Sequence, residues 1–195
     1  MTGPVDGAAG GTSAAPSPVD LAEFTLVESE LDRRWGETTI EPSLTRIRAL
    51  MDLLGSPQAS YPAIHVAGTN GKTSVTRMIE SLLRAFHRRT GRTTSPHLQL
   101  ATERIAIDGV PLTPREYVDT YRDVLPYVEM IDERSQAAGG PAMSKFEVVT
   151  AMAFAAFAEA PVDVAVVEVG LGGTWDATNV VDAQVAVITP VWMDH

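Results

Sequence analysis

The sequence predicts an α/β protein built on a mostly parallel sheet with helices on both faces. Three observations predict it. Ala63-Ile64-His65-Val66-Ala67 and Val164-Ala165-Val166-Val167-Glu168-Val169 are short apolar runs without the in-and-out alternation of a half-exposed strand, so both read as strands covered on two sides. Val185-Ala186-Val187-Ile188 is a third run of the same kind. Between the runs lie segments of helical periodicity, the arrangement that gives strand–helix–strand units.

The elements follow in order. Residues 1–19 are mainly Gly, Ala, Ser, Thr and Pro and have almost nothing to bury, so they read as a disordered arm ahead of one domain over 20–195. Asp20, with Glu23 three residues on, reads as the cap of a first helix carrying Leu21, Phe24, Val27, Leu31 and Trp35. Pro42 suits the first position of a second helix that aligns Leu44, Ile47, Leu50, Met51 and Leu54 and stops at Gly55. After the strand at 63–67 comes a turn over 68–71, then a helix expected to turn Val75, Met78, Ile79, Leu82, Leu83 and Phe86 inward and to end by Gly91. Residues 93–107 read as polar and then extended. Asp108-Gly109 between Ile105-Ala106-Ile107 and Val110-Pro111-Leu112 is a hairpin signal. Thr113-Pro114-Arg115-Glu116 is a capping box that opens a helix to about residue 135, broken by Gly139-Gly140-Pro141. A last helix spans 144–159, with Phe146, Val149, Ala153, Ala156 and Phe157 on it.

Composition excludes several classes of function. Of the 195 residues, 15 are Lys or Arg and 25 are Asp or Glu, a net charge of −10 that argues against a nucleic-acid binder. No cysteine is present, which removes disulfide scaffolds and Cys-ligated metal sites and is compatible with a cytoplasmic protein. No apolar run approaches the roughly 20 residues that span a bilayer, and the first residues have neither the basic start nor the apolar core of a secretory signal. Within this acidic chain, residues 72–104 hold seven basic side chains against two acidic ones, which suggests a local anionic ligand or a solvated basic helix end.

Gly68-Thr69-Asn70-Gly71-Lys72-Thr73-Ser74 stands between a buried strand and an amphipathic helix, the setting of a phosphate-binding loop. Glycines let backbone N–H groups converge on phosphate oxygens, the helix start adds positive potential, and Lys72 neutralises phosphate charge. Thr73 or Ser74 offers a hydroxyl to Mg²⁺ or phosphate. The spacing departs from the common G-x-x-x-x-G-K-[ST] pattern, since Val66 occupies its first glycine position. Glu168 closes a strand and precedes Gly170-Leu171-Gly172-Gly173; ligands of open α/β sheets bind at strand carboxyl ends, where an acid could hold Mg²⁺, although a solvent-facing acid would read the same. Ser95 could reach a metal and Arg104 an anion, or both could sit in a surface loop. His195 follows the strand-like run at 185–189. Trp175-Asp176-Ala177-Thr178-Asn179 could recognise a flat heterocycle or form an Asx turn.

His65-Val66-Ala67-Gly68-Thr69-Asn70-Gly71-Lys72-Thr73-Ser74 resembles the phosphate loop of the Mur ligase superfamily. Ser95-Pro96-His97-Leu98, Glu103-Arg104-Ile105, Phe146-Glu147, the 168–173 run, Asp176-Ala177-Thr178-Asn179 and Asp194-His195 resemble, in order, one branch of it, the bifunctional folylpolyglutamate synthase/dihydrofolate synthase family. The resemblance implies the P-loop-type central ATPase domain of a Mur ligase. It implies an ATP-dependent amide ligase that activates a dihydropteroate or folate carboxylate as an acyl phosphate for attack by L-glutamate. It assigns Ser95, Glu168 and His195 to Mg²⁺ and Gly68, Thr69, Asn70, Gly71, Lys72, Thr73 and Ser74 to ATP. It gives Lys72, Glu168 and His195 the catalytic roles. Phe146, Glu147, Thr174, Trp175, Asp176 and Ala177 fall in the region lining the pterin pocket. Thr174 stands where the family often has Arg. The family's metal-bridging carbamylated lysine and its C-terminal domain lie downstream of the position of His195, so the 195 residues are expected to be a truncated ATPase domain, inactive as a synthase by themselves. The expected protein is a cytoplasmic monomer with small-molecule partners, bound to neither nucleic acid nor membrane. Two other readings stand beside this one: a Mur-type ligase for a different carboxylate, and a non-catalytic nucleotide-binding remnant.

Overall fold

The computed structural model describes residues 15–36 and 43–192. Helix α1 spans Pro18–Leu31 and α2 spans Thr45–Leu53. Strand β1, Ala63–Ala67, leads into α3, Lys72–Ala85. Then come β2 (Thr90–Thr93), β3 (Ile105–Ile107), β4 (Val110–Pro111), α4 (Pro114–Ala137), α5 (Lys145–Glu159), β5 (Val164–Glu168) and β6 (Val185–Ile188). The six strands form one sheet in the order β4-β3-β2-β5-β1-β6. β2, β5, β1 and β6 run parallel, and β3 and β4 add an antiparallel edge. The expected α/β class is therefore the observed one.

Successive residues of β2 show that both faces are covered. A Cβ on Gly91 would lie 2.6 Å from the ring of Phe157 in α5, whereas Arg92, one residue on, sends its Nε 2.6 Å to Glu80 Oε2 in α3. Neighbouring strand residues point to opposite faces, so α5 and α3 lie on opposite sides of the sheet. The main core sits on the α5 side, where Phe154, Phe157, Met152, Leu31, Ile47, Leu50 and Tyr117 are fully buried among α1, α2, α4 and α5. Phe24 packs edge-on against Tyr117, and Tyr61 against Phe157.

Several expectations need correction. The cap of α1 is Ser17, with Asp20 as the third helical residue of its capping box, because Pro18 sets the start of the helix two residues before Asp20. Leu21 is largely exposed, and Trp35 lies beyond the helix, its indole N–H 2.6 Å from the Ala142 carbonyl. Leu44 caps α2, and Pro42 lies outside the described residues. Helix α3 is rotated from the expected facing: Val75, Ile79 and Leu83 are half-buried as expected, but the other three are not. Met78, Leu82 and Phe86 are 63%, 62% and 75% exposed, while Thr76 and Glu80 are buried. The cause is Arg92: a guanidinium buried in a central strand requires a carboxylate, and Glu80 supplies it from α3. β2, a Thr-Gly-Arg-Thr strand with no apolar signal, was not expected, and Gly91 lies within it rather than ending α3; the extended end expected for 93–107 is β3. β6 is an edge strand with exposed Val185 and Ile188, not a buried one. The hairpin at Asp108-Gly109 is as expected: φ is +50° and +77° at these two residues, the left-handed pair of a two-residue turn. The caps of α4 and α5 are Thr113 and Ser144, each in a complete capping box.

Candidate functional site

The four parallel strands place their carboxyl ends side by side. Val66 is opposite Glu168, Thr93 opposite Val167, and Ala67 opposite Ile188. The segments that leave these strands, 68–71, 94–97, 169–176 and 189–192, therefore meet at one end of the sheet, where ligands of such sheets bind.

The 68–71 turn is held by its neighbours. At Gly68, with φ +130°, a Cβ would overlap the Thr189 hydroxyl and stand 2.7 Å from the Thr189 carbonyl oxygen, so no side chain fits. The N–H groups of Thr69 and Asn70 donate to the Pro190 carbonyl at 3.1 and 3.3 Å. The Thr69 hydroxyl accepts from Trp192 N–H at 3.1 Å and donates to the Trp192 carbonyl at 3.0 Å. Gly71, with φ +81°, starts α3 without a side-chain cap. The amides of residues 72–74 consequently point out of the helix end without intrahelical acceptors, in the orientation that suits an anion. Lys72 folds back over the turn, its Nζ 3.5 Å from the Thr69 carbonyl. Ser74 is exposed.

Glu168 lies beneath this helix end. Thr73 Oγ1 donates to Glu168 Oε1 at 2.7 Å, and the backbone N–H of Ser95 also donates to the carboxylate. Burial pushes its pKa up; Thr73, Ser95, Lys72 and Arg92 oppose that shift. Glu168 Oε2 is buried without a hydrogen-bond partner. An orphaned carboxylate oxygen beside the Thr73 hydroxyl, on a carboxylate that the Ser95 backbone also reaches, is a hard-oxygen environment that fits Mg²⁺, which commonly takes one or two carboxylates and shares phosphate oxygens. Among the described residues, no three His, Asp or Glu side chains gather as a metal-binding group. His195 and Asp194 lie outside the described residues.

The 170–178 turn forms the next wall. A Cβ on Gly170 would come within 2.8 Å of Cε2 of Phe146, so this glycine lets the aromatic ring at the start of α5 close on the turn. Glu147 is buried; its carboxylate accepts from Ser144 N–H at 2.8 Å and pairs with Arg46 at 3.3 Å. Arg46 in turn lies over the Trp35 ring, 5.4 Å from its centroid. Thr174 and Trp175 are exposed, whereas Asp176 and Ala177 are buried. Asp176 accepts from Leu171 N–H at 2.8 Å through Oδ2, and from Thr178 N–H at 2.9 Å and the Thr178 hydroxyl through Oδ1. His65 Nε2 lies 2.8 Å from the same hydroxyl. Burial raises the Asp176 pKa and lowers that of His65, with the facing charge of each opposing its partner's shift.

The Ser95–Arg104 loop closes the fourth side. Glu103 accepts the N–H groups of Leu98, Gln99 and Leu100 at 3.0, 2.8 and 2.9 Å, which hold its carboxyl down at about 2. Arg104 is buried and donates to His97 Nδ1 at 3.0 Å, so it is not the surface-loop side chain that its sequence position also allowed. Arg46, Arg92 and the pairing of His65 with Thr178 were not read as parts of the site. Both arginines were indistinguishable from surface charge in the sequence. His65 lay inside the quoted motif, but its partner is 113 residues away.

Residues 66–195 match the family model described as the Mur ligase middle domain. The chain belongs to the Mur ligase family. It is 66% identical over 197 aligned residues to "Dihydrofolate synthase/folylpolyglutamate synthase" of Mycobacterium tuberculosis, covering 100% of this chain and 40% of the relative. The structure of "Mycobacterium tuberculosis Folylpolyglutamate synthase complexed with ADP" superposes with a TM-score of 0.86 at 68% identity, over 90% of this chain and 38% of that one. A bifunctional folylpolyglutamate synthase/dihydrofolate synthase "with Mn, AMPPNP and L-Glutamate bound" gives a TM-score of 0.75 at 32% identity, over 88% of this chain and 39% of that one. The chain thus spans about two fifths of the length of the relatives it matches.

Proposed function

We propose that this chain is the ATP-binding portion of an amide ligase that adds L-glutamate to dihydropteroate or folates. The observation that carries the reading is the junction at the sheet's carboxyl end, where an uncapped α3 with Lys72 over its first turn meets a buried carboxylate, Glu168, with one unpartnered oxygen. The likeness to the folate ligases above supplies the substrate class.

In this reading the amides of residues 71–74 cradle the ATP phosphates, and Lys72 neutralises charge that grows on the transferred group. Glu168, Ser95 and His195 hold the divalent cation, which when bound polarises the γ-phosphate for transfer to the substrate carboxylate. Thr73 orients Glu168 by its hydroxyl bond. The pterin lies toward Phe146, Glu147 and the 174–177 turn. Glu147 acts there by holding Arg46 and the start of α5, since its carboxylate is already committed to both. The amine of glutamate then attacks the acyl phosphate carbon, phosphate leaves, and an amide remains. Residues 20–195 are the ATP-binding domain in this scheme and 1–19 an arm, with α1 reaching back to Pro18. The protein works as a cytoplasmic monomer on small molecules, without nucleic acid or membrane; no helix among the described residues is long and apolar enough to cross a bilayer.

The test is dihydropteroate- and glutamate-dependent phosphate release. The purified 195-residue chain is expected to give none. The same chain joined to the remaining three fifths of its M. tuberculosis relative is expected to give the glutamyl amide in step with phosphate. Release from that chimera that persists unchanged without glutamate would overturn the ligase assignment.

A further inference from the structure

We propose that His65 is a positioning residue for the substrate side of the site: from β1 it holds, through Thr178, the Asp176-anchored turn that faces the pterin. The inference rests on the reading of that turn given above, and its geometry stands independently of it.

The chain of hydrogen bonds has one direction. The Thr178 hydroxyl carries a single proton, and Asp176, whose two oxygens both receive backbone N–H groups and which as a carboxylate can only accept, takes it at Oδ1. The hydroxyl can then only accept from His65, so the imidazole must present Nε2–H, with Nδ1 unprotonated in the neutral ring. Asp176 Oδ1 also receives Thr178 N–H, and Oδ2 receives Leu171 N–H. The side chain of one strand residue is therefore bonded, through two intermediaries, to the first and last parts of the 171–178 turn. Burial favours the neutral imidazole, and in that form the bond to Thr178 selects the Nε2–H tautomer.

The position of His65 gives the contact its consequence. It stands on β1 three residues before Gly68, in register with Val167 on β5, which is one residue before Glu168. The strand that delivers the phosphate loop thus also fixes the substrate turn. An apolar residue at 65 would keep the strand and leave the Thr178–Asp176 pair without its anchor. The effect would fall on the turn and spare the loop, because Gly68 and Thr69 are held separately, by Thr189, Pro190 and Trp192.

The experiment compares wild type, His65→Leu and His65→Gln in the 195-residue chain; the Gln amide can still donate from a position near Nε2. Imidazole ¹⁵N shifts of the wild type are expected to report the Nε2–H tautomer. Amide exchange at Leu171 and Thr178 is expected to accelerate roughly tenfold in His65→Leu, the scale of a lost buried hydrogen bond, and to recover in His65→Gln. Dihydropteroate affinity is expected to weaken by a similar factor in His65→Leu, about tenfold, with Mg²⁺-AMPPNP affinity unchanged. An Nδ1–H tautomer, or exchange unaltered in His65→Leu, would overturn the proposal, as would an equal loss of nucleotide affinity, which marks a general structural role. If wild type binds no dihydropteroate, the substrate reading fails, and the tautomer and exchange still decide the role of His65. If His65→Leu does not fold, the wild-type tautomer and exchange in His65→Gln decide it.

Discussion

Glu168 carries a conflict between stability and use. Its carboxylate is buried, one oxygen is unpartnered, and burial is the largest influence on its ionisation. Replacing it by the neutral isostere removes the cost of burying charge, so Glu168→Gln is expected to stabilise the fold by on the order of 1 kcal/mol, a rise in Tm of roughly 2–4 °C for a chain this long. The same change should remove the Mg²⁺-dependent part of nucleotide affinity. Thermal denaturation and nucleotide titration of one sample test both halves; a destabilised variant with intact Mg²⁺ dependence would contradict them. Glu103 is the opposite case. Three backbone N–H groups hold its carboxyl at about 2, below the ordinary 4.5. A depressed folded-state pKa contributes stability that is present above about 4.5 and is lost as pH falls through about 2. The stability difference between wild type and Glu103→Gln is therefore expected to be constant above about pH 5 and to shrink toward pH 2. A difference that does not vary across that window would show that the loop bonds do not act on the carboxylate. Lys72 and Glu168 were readable in the sequence because each adjoins an apolar strand run and a glycine turn. The roles of His65 and Arg92 were not, since each depends on a side chain brought in by another element.

At the scale of elements, the same contrast separates β2 from the rest. β1 and β5 announce themselves by apolar runs, and α4 by its capping box. β2 is Thr-Gly-Arg-Thr, and it occupies the sheet interior because its neighbours supply what its own sequence lacks. Glu80 answers Arg92 on one face, and the Phe157 ring fills the space over Gly91 on the other. The rotated facing of α3 has the same origin, as its periodicity was legible but the buried charge that drew Thr76 and Glu80 inward and left Met78, Leu82 and Phe86 outside was not. Gly91→Ala would press a methyl group to within 2.6 Å of a fully buried ring that already packs edge-on against Tyr61. The expected loss is about 1–3 kcal/mol of stability, read as a lower urea midpoint at unchanged slope. An unchanged midpoint would mean that the Phe157 ring has room to withdraw.

Over the whole molecule, the net charge of −10 and the gathering of strand ends have to be read together. An acidic chain attracts a polyphosphate only where its cations are concentrated, and part of the basic window at 72–104 is spent internally, Arg92 on Glu80 and Arg104 on His97. Lys72 and the amides at the start of α3 stand at the carboxyl end of the sheet, above Glu168. Architecture and phosphate loop were both legible because strand–turn–helix order is written locally. The walls of the site were less so, because they come from four segments far apart in the chain, such as Thr69 and Trp192, 123 residues apart. In the proposed function this end of the sheet binds a nucleoside triphosphate with a divalent cation. Titration calorimetry of the 195-residue chain with AMPPNP, with and without Mg²⁺, tests it most directly. Saturable binding that Mg²⁺ strengthens, and that Lys72→Ala weakens by roughly tenfold or more through loss of a charge-assisted phosphate contact, is the predicted result. Equal affinity in wild type and Lys72→Ala, or no dependence on Mg²⁺, would contradict it.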